Sequence, residues 1–352
     1  MKGIIRTLLI IVAIIVVGGV AGYFVLPAKA SRAESFTVAR PPASVFARIA
    51  STPPGTVIAE GVTQTAITSA ENNVVVAEVA YADGSTGVAT YTVAPDGEGS
   101  RVELKLEQNL GANPMDKLGA LTGGEVGPLV TAAAAAVTTD LNALPAAAFT
   151  GLAYEVTTVT ARPFLYNQNC SPQDASQIKE AVAQSLVVLK PLLTRFNLTQ
   201  DGPPIAVETS WENNQYCFQI GFAFTGTPPR LYAGGTVGTT PAGQAIRVHY
   251  SGAEENVIPT YDQMEALIAS ARLTQGKSFE IYYDDPAATG GSVSRDIFYL
   301  VEGDATALAR VAPSAGAVPA AASAPPAAPA AAPAAPAAAP AATTPAPEPA
   351  KQ

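Results

Sequence analysis

Phe279-Glu-Ile-Tyr-Tyr-Asp-Asp-Pro286 is the stretch on which the reading of the fold turns. Its aromatic and β-branched residues predict a strand that begins near Gly276 and ends near Tyr282. Alternation places Glu280 and Tyr282 on one face of that strand. Upstream, Met264, Leu267, Ile268 and Ala271 recur at helical spacing. Thr260 and Gln263 have the spacing of a capping box, with Pro259 just before them. Gly276 stands where a helix C-cap is expected. Ile246-Arg-Val-His-Tyr250 reads as a strand before this helix, and Arg295-Asp-Ile-Phe-Tyr-Leu300 as a strand after Tyr282. The unit is therefore strand, helix, Gly-led strand, strand.

The same order occurs once more, earlier in the chain. Ala161-Arg-Pro-Phe-Leu-Tyr166 is followed by a helix opened by Ser171-Pro172, then Gly202-Pro-Pro-Ile-Ala-Val-Glu208, then Tyr216-Cys-Phe-Gln-Ile-Gly221. Ile178, Val182, Leu186 and Leu189 mark the helix's buried face. Pro191 is expected to break or kink it, because proline removes a helical donor and clashes with the preceding turn. This is an internal repeat of pattern rather than of identity.

Two such units side by side resemble the GyrI-like small-molecule-binding domain, also found as the effector-binding half of AraC-type regulators. The residues from Phe279 to Pro286 lie close to that family's E-x-Y-x-x-D-P motif. The resemblance implies two α/β units related by a pseudo-twofold, with a cleft for apolar, often cationic, aromatic compounds. The residue types suit such a cleft, since aromatic rings supply contact area and attract cations through their faces. The candidate ligand-binding residues are Glu280, Tyr282, Tyr166, Tyr250, Tyr216, Trp211 and Glu208, with Trp211 in a loop between two strands. A carboxylate in an apolar cleft would favour a cation. Each strand tyrosine can equally be core filler, and Glu280 can equally be a solvated strand residue.

Residues 32–150 read differently. Glu34-Ser-Phe-Thr-Val-Ala39 is a strand, and a helix opened by prolines covers Pro41 to Ile49. Strands follow over Val74–Tyr81, Gly87–Val93 and Ser100–Leu106, and a long helix runs from about Pro128 to Ala143. The stretch Phe36-Thr-Val-Ala-Arg-Pro-Pro-Ala-Ser-Val-Phe-Ala-Arg-Ile49 and the turn Gly97-Glu-Gly-Ser-Arg-Val-Glu-Leu104 resemble the START-like, or polyketide cyclase-like (SRPBCC), superfamily. That resemblance implies a curved sheet wrapped around the long helix. The stretch between Ser51 and Asn72 is shorter than the family's, which implies a reduced or closed cavity.

Thr7 to Leu26 carries no charge and is long enough to span a bilayer, with Lys2 and Arg6 before it. It predicts a transmembrane anchor at the inner (cytoplasmic) membrane, N-terminus in the cytoplasm and body periplasmic. Ala28-Lys29-Ala30 also has the form of a signal cleavage site, so release after Ala30 is the alternative. Residues 306–352 are dominated by Ala and Pro and predict a disordered tail, with envelope contact as a candidate role. The domains are thus expected at 1–31, 32–150, 151–305 and 306–352. The whole reads as α+β: a helix-grip START-like domain, then a duplicated GyrI-like domain, with an anchor before and a tail after.

A net charge of -9 argues against nucleic acid as a partner. The single histidine, His249, removes most metal-site options, and no cofactor is expected. Cys170 and Cys217 can pair in an oxidising compartment or remain two buried thiols. The functional expectation is an anchored binding protein for small amphipathic or cationic-aromatic molecules. One alternative is a GyrI-like hydrolase with Glu280 as general base and Tyr282 as orienting donor. A non-catalytic envelope scaffold is the other. Catalysis is the less expected outcome, because no nucleophile motif is present.

Overall fold

The computed structural model describes residues 26–112, 114–121, 125–228, 234–286, 292–304 and 308. The expected anchor over 7–26, apart from its last residue, and nearly all of the Ala/Pro tail lie outside the described residues. Among those described, no helix is long and apolar enough to cross a membrane.

The first part is α+β around an antiparallel sheet. Its strands are β1 (Lys29–Val38), β2 (Thr56–Ala59), β3 (Val62–Glu71), β4 (Val74–Tyr81), β5 (Thr86–Asp96) and β6 (Gly99–Asn109). They pair in the order β1-β6-β5-β4-β3-β2. Strands β2 and β3 fill the stretch between Ser51 and Asn72 that the sequence leaves unassigned. Alternation is clean in β6, where Val102, Leu104 and Leu106 are buried while Arg101 and Glu103 face out. The buried face packs on α1 (Pro42–Ala50) through Val45, Phe46 and Ile49, and on α3 (Val126–Asn142) through Val126, Val130 and Leu141. Between β6 and α3 lies a short helix, α2 (Pro114–Leu121), which the sequence reading does not contain.

The second part has β7 (Glu155–Val159), β8 (Pro163–Pro172), α4 (Ala175–Arg195), β9 (Thr199–Glu212), β10 (Gln215–Thr225), β11 (Thr236–Thr239), β12 (Gly243–Ala253), α5 (Ile258–Ser270), β13 (Thr274–Tyr282) and β14 (Ser292–Glu302). Its sheet is antiparallel, in the order β11-β8-β10-β9-β13-β14-β12-β7. Read from either end, the order is the same in kind. A short strand comes first, then the strand before a helix, then the last strand of a unit, then the strand just after the helix.

This sheet cannot be flat. Strands β7 and β8 stand six places apart in the order, yet only residues 160–162 separate them in the chain. Six strand spacings would be about 29 Å in a flat sheet, whereas the connection reaches at most about 14 Å. Residues 240–242 link β11 to β12 across the same gap. The two connections are hydrogen-bonded to each other, Thr240 N donating to Arg162 O and Arg162 N to Thr240 Oγ1, both at 2.9 Å. The sheet is therefore curled, with one face inside. That face holds Phe164, Ile205, Val207, Ala223, Ala245, Phe279 and Phe298, all buried. Gly221 permits the bend: a Cβ there would stand 1.9 Å from the Leu165 carbonyl oxygen of the neighbouring strand.

Helices α4 and α5 cover the outer face. Leu189 and Leu192 of α4 pack on Leu165 and Phe222, and Val182 on Phe218 and Ile220. Met264, Leu267 and Ile268 of α5 pack on Ile246, Ile297 and Tyr299. Several local expectations are corrected. Ser171 and Pro172 close β8, and α4 starts later, where Asp174 caps it by accepting from Gln177 N at 3.0 Å. Pro191 lies inside α4, which continues to Arg195. Thr260 sits within the first turn of α5 rather than capping it. Gly276 lies in β13 at a register shift, and Arg272 (φ 57) takes the left-handed position after α5 instead.

The two parts meet at α5. Asp140 of α3 is held between two arginines, Arg48 Nη2 and Arg272 Nη2, each at 2.6 Å. Arg48 also donates to the Ala269 carbonyl at 2.9 Å. Burial alone would raise the Asp140 pKa, but the two guanidiniums outweigh it and hold the carboxyl below its ordinary value. The contribution is present above the unfolded carboxyl pKa of about 3.9 and is lost as pH falls through the lowered folded value. Asp140→Asn is expected to cost about 1–3 kcal/mol at neutral pH, read by urea unfolding. The difference from the native chain should close in acid. A constant difference across pH would contradict this account.

Candidate functional site

Register places a polar cluster on the outer face between the two helices. Glu280 stands opposite Ile297 on one side and Ala206 on the other, Ser278 opposite Tyr299, and Tyr282 opposite Arg295. Glu208, opposite Phe218 on β10, shares this face. From α5, Tyr261 and Glu265 project together, four residues apart.

Glu280 is fully engaged. Tyr261 donates its hydroxyl to Oε1, and Arg295 Nη1 donates to Oε2 at 3.0 Å. The Arg295 guanidinium lies over the Tyr282 ring, 4.8 Å from its centroid. Its Nη2 is 3.7 Å from Glu254, which in turn pairs with Lys179 of α4 at 3.1 Å. The Arg295 Nε is buried without a hydrogen-bond partner. Glu208 accepts from Ser278 Oγ at 3.1 Å, and Glu265 accepts from the Tyr299 hydroxyl at 3.0 Å.

Glu208 and Glu265 thus stand near Glu280, whose charge Arg295 pairs. Burial pushes the Glu208 pKa up, and Glu265 and Glu280 push it further against the Ser278 hydrogen bond. Burial and the neighbouring Glu280 also raise the phenols of Tyr216, Tyr261 and Tyr282. They therefore remain hydroxyl donors at neutral pH. Arg295 is disfavoured by burial, but Glu280, Tyr282, Tyr261 and Asp284 together more than offset that and keep it charged. Trp211 belongs to β9 rather than to a loop, half-exposed, its ring 4.9 Å from Tyr216. Tyr216 stacks on Phe218 at 5.0 Å.

No family model matches the chain, and no curated protein matches it. Among solved structures, the EcmrR C-terminal domain is similar over 43% of this chain and 98% of its own, at 11% identity and a TM-score of 0.37. A hydrolase encoded by lin2189 from Listeria innocua is similar over 44% and 93%, at 14% identity and a TM-score of 0.33. SAV2435 bound to tetraphenylphosphonium is similar over 43% and 94%, at 11% identity and a TM-score of 0.30. Likeness at this level assigns no family.

The sequence-derived candidates divide by face. Glu280, Tyr282, Glu208, Tyr216 and Trp211 come together. Tyr250 is on the same face, at its rim, where its hydroxyl donates to the Ala253 carbonyl. Tyr166 is not part of the cluster. It packs on the inner face, stacked on Phe164 at 5.2 Å, because it pairs with Gly221 rather than with an outward residue. Cys170 and Cys217 face each other across β8 and β10 and form a disulfide. His249 bonds the buried Asp296 at 2.8 Å, a carboxylate also bound by Arg247 and Tyr283. Among the described residues no group of His, Cys, Asp and Glu could hold a metal ion.

Arg295, Tyr261, Glu265, Ser278 and Tyr299 are absent from the sequence-based set. Only Arg295 carried a signal, as a cation in the strand expected after the Glu280 strand. The raised Glu208 pKa has a consequence for stability. Its contribution is fully present below the unfolded pKa of about 4.3 and is lost as pH rises through the folded value. Glu208→Gln should therefore melt at a higher temperature than the native chain near pH 8, with the gap vanishing near pH 4. Equal melting temperatures at both pH values would refute the assignment.

Proposed function

We propose that residues 151–305 are a GyrI-like domain, a duplicated α/β unit that binds small amphipathic or cationic-aromatic molecules between α4, α5 and the outer sheet face. The observation that carries the proposal is a surplus of acid among tyrosine rings: Arg295 pairs with Glu280, while Glu208 and Glu265 are held by hydroxyls. A positively charged aromatic ligand would relieve that surplus and gain ring contact. Because Arg295 already neutralises Glu280, the attraction falls mainly on Glu208 and Glu265. Residues 32–150 are read as a START-like helix-grip domain, a reading supported by the packing of α3 on β1, β2 and β6. The apolar segment over 7–26 is read as an anchor that leaves the body outside the cytoplasm, and the Cys170–Cys217 disulfide suits an oxidising compartment.

A general-base role for Glu280 is less favoured, since both its oxygens are occupied. The test is titration of the full chain with tetraphenylphosphonium, read by the fluorescence of Trp211, its only tryptophan. Saturable quenching is expected, with affinity about tenfold weaker in Glu208→Gln, a change of about 1.4 kcal/mol. Unchanged affinity in that variant would remove the charge role, and no saturable signal would remove the ligand class.

A further inference from the structure

Helix α2 is inside out. Met115 and Leu118 are 71% and 47% exposed, while Lys117 between them is only 9% exposed. In water a short surface helix turns its apolar residues inward and leaves lysine out. An outward apolar pair over a buried lysine suits a helix whose outer face meets a non-aqueous surface.

The position of α2 indicates which surface. It packs beside β1, and Ala30 near the start of β1 lines one cavity of about 440 Å³ together with Met115 and the polar Asp83, Gln108, Asp116 and Glu125. Lys29, the first residue of β1, follows the end of the apolar segment by three positions. Three residues span at most about 11 Å. With residues 7–26 in the bilayer, the start of β1 is held within that distance of the membrane face, and α2 packs beside this strand. We propose that α2 rests on the membrane surface beside the chain's own anchor, with Met115 and Leu118 entering the interfacial layer. This rests on the anchored reading of the N-terminus and is independent of ligand binding by the second part.

The magnitudes suit a tethered contact. Burial of two such side chains is favourable but small, and partial burial gives less. A free protein would gain only transient adhesion from this. A short tether supplies an effective concentration on the order of millimolar, at which weak insertion is populated.

The test uses the full chain in vesicles of phosphatidylethanolamine and phosphatidylglycerol. An environment-sensitive fluorophore is attached to Met115→Cys or Leu118→Cys, with Val57→Cys as control. Val57 is also exposed, at 65%, but lies on β2 at the opposite edge of the sheet. Blue-shifted emission and quenching by nitroxide lipids are expected at 115 and 118, and water-like emission at 57. Water-like emission at all three positions in chain that resists carbonate extraction overturns the docking alone. Release by carbonate overturns the anchor and the docking together. Quenching at 115 by a second labelled chain, with none from nitroxide lipid, assigns the face to another copy and also overturns the proposal.

Discussion

The brief connections over 160–162 and 240–242 constrain everything else in the second part. Each must join strands that stand six places apart, and a chain of that reach can do so only if the sheet curls until its ends meet. Curling divides the faces unequally. The inner one becomes a dry core with the Phe279–Phe298 stack at its centre, the two rings 4.5 Å apart. The outer one must be covered by helices. Strands β9 and β13 meet at the middle of the order, so Glu208 and Glu280 are brought together from the two halves of the chain.

Burying that many ionisable groups has a defined cost structure. An unpaired carboxylate under a helix would be expelled or protonated, and a guanidinium costs several kcal/mol to desolvate. Arg295 and Glu280 reduce each other's penalty, Tyr282 adds a ring face to the cation, and hydroxyls from Tyr261, Ser278 and Tyr299 take up oxygen lone pairs. What is left over is negative. The arrangement thus combines a close ion pair, which fixes geometry, with neighbouring carboxyls whose charge is only partly compensated.

Much of this was legible in residues alone. The strand at Val74–Tyr81 was read with its observed limits, and the two strand-helix-strand-strand runs were visible in their spacing. The face of each tyrosine was not. Strands of the second sheet are covered on both sides, so apolar residues fall on either face and alternation loses its signature. Tyr166 and Tyr216 look alike in sequence, and only pairing separates them. Turn and cap signals misled for a related reason. Ser171-Pro172 resembles a helix start, yet Asp174 two residues on takes the cap, and Pro191 is tolerated because α4 is held by Leu189, Leu192 and Leu193 around it. Charge pairing at Glu280 was hidden because Arg295 is fifteen residues away along the chain.

The two halves of the curled sheet are alike in topology but not in surroundings. Helix α5 is buried on nearly every side, with Ala47 of α1 against its back and Arg48 and Arg272 closing its end. Helix α4 buries one stripe and turns Val187 and Val188 outward. Local opening in a folded protein begins where the fewest buried contacts must be broken. Amide hydrogens of α4 therefore exchange with solvent ahead of those of α5, and the fold breathes through one half while the other stays shut.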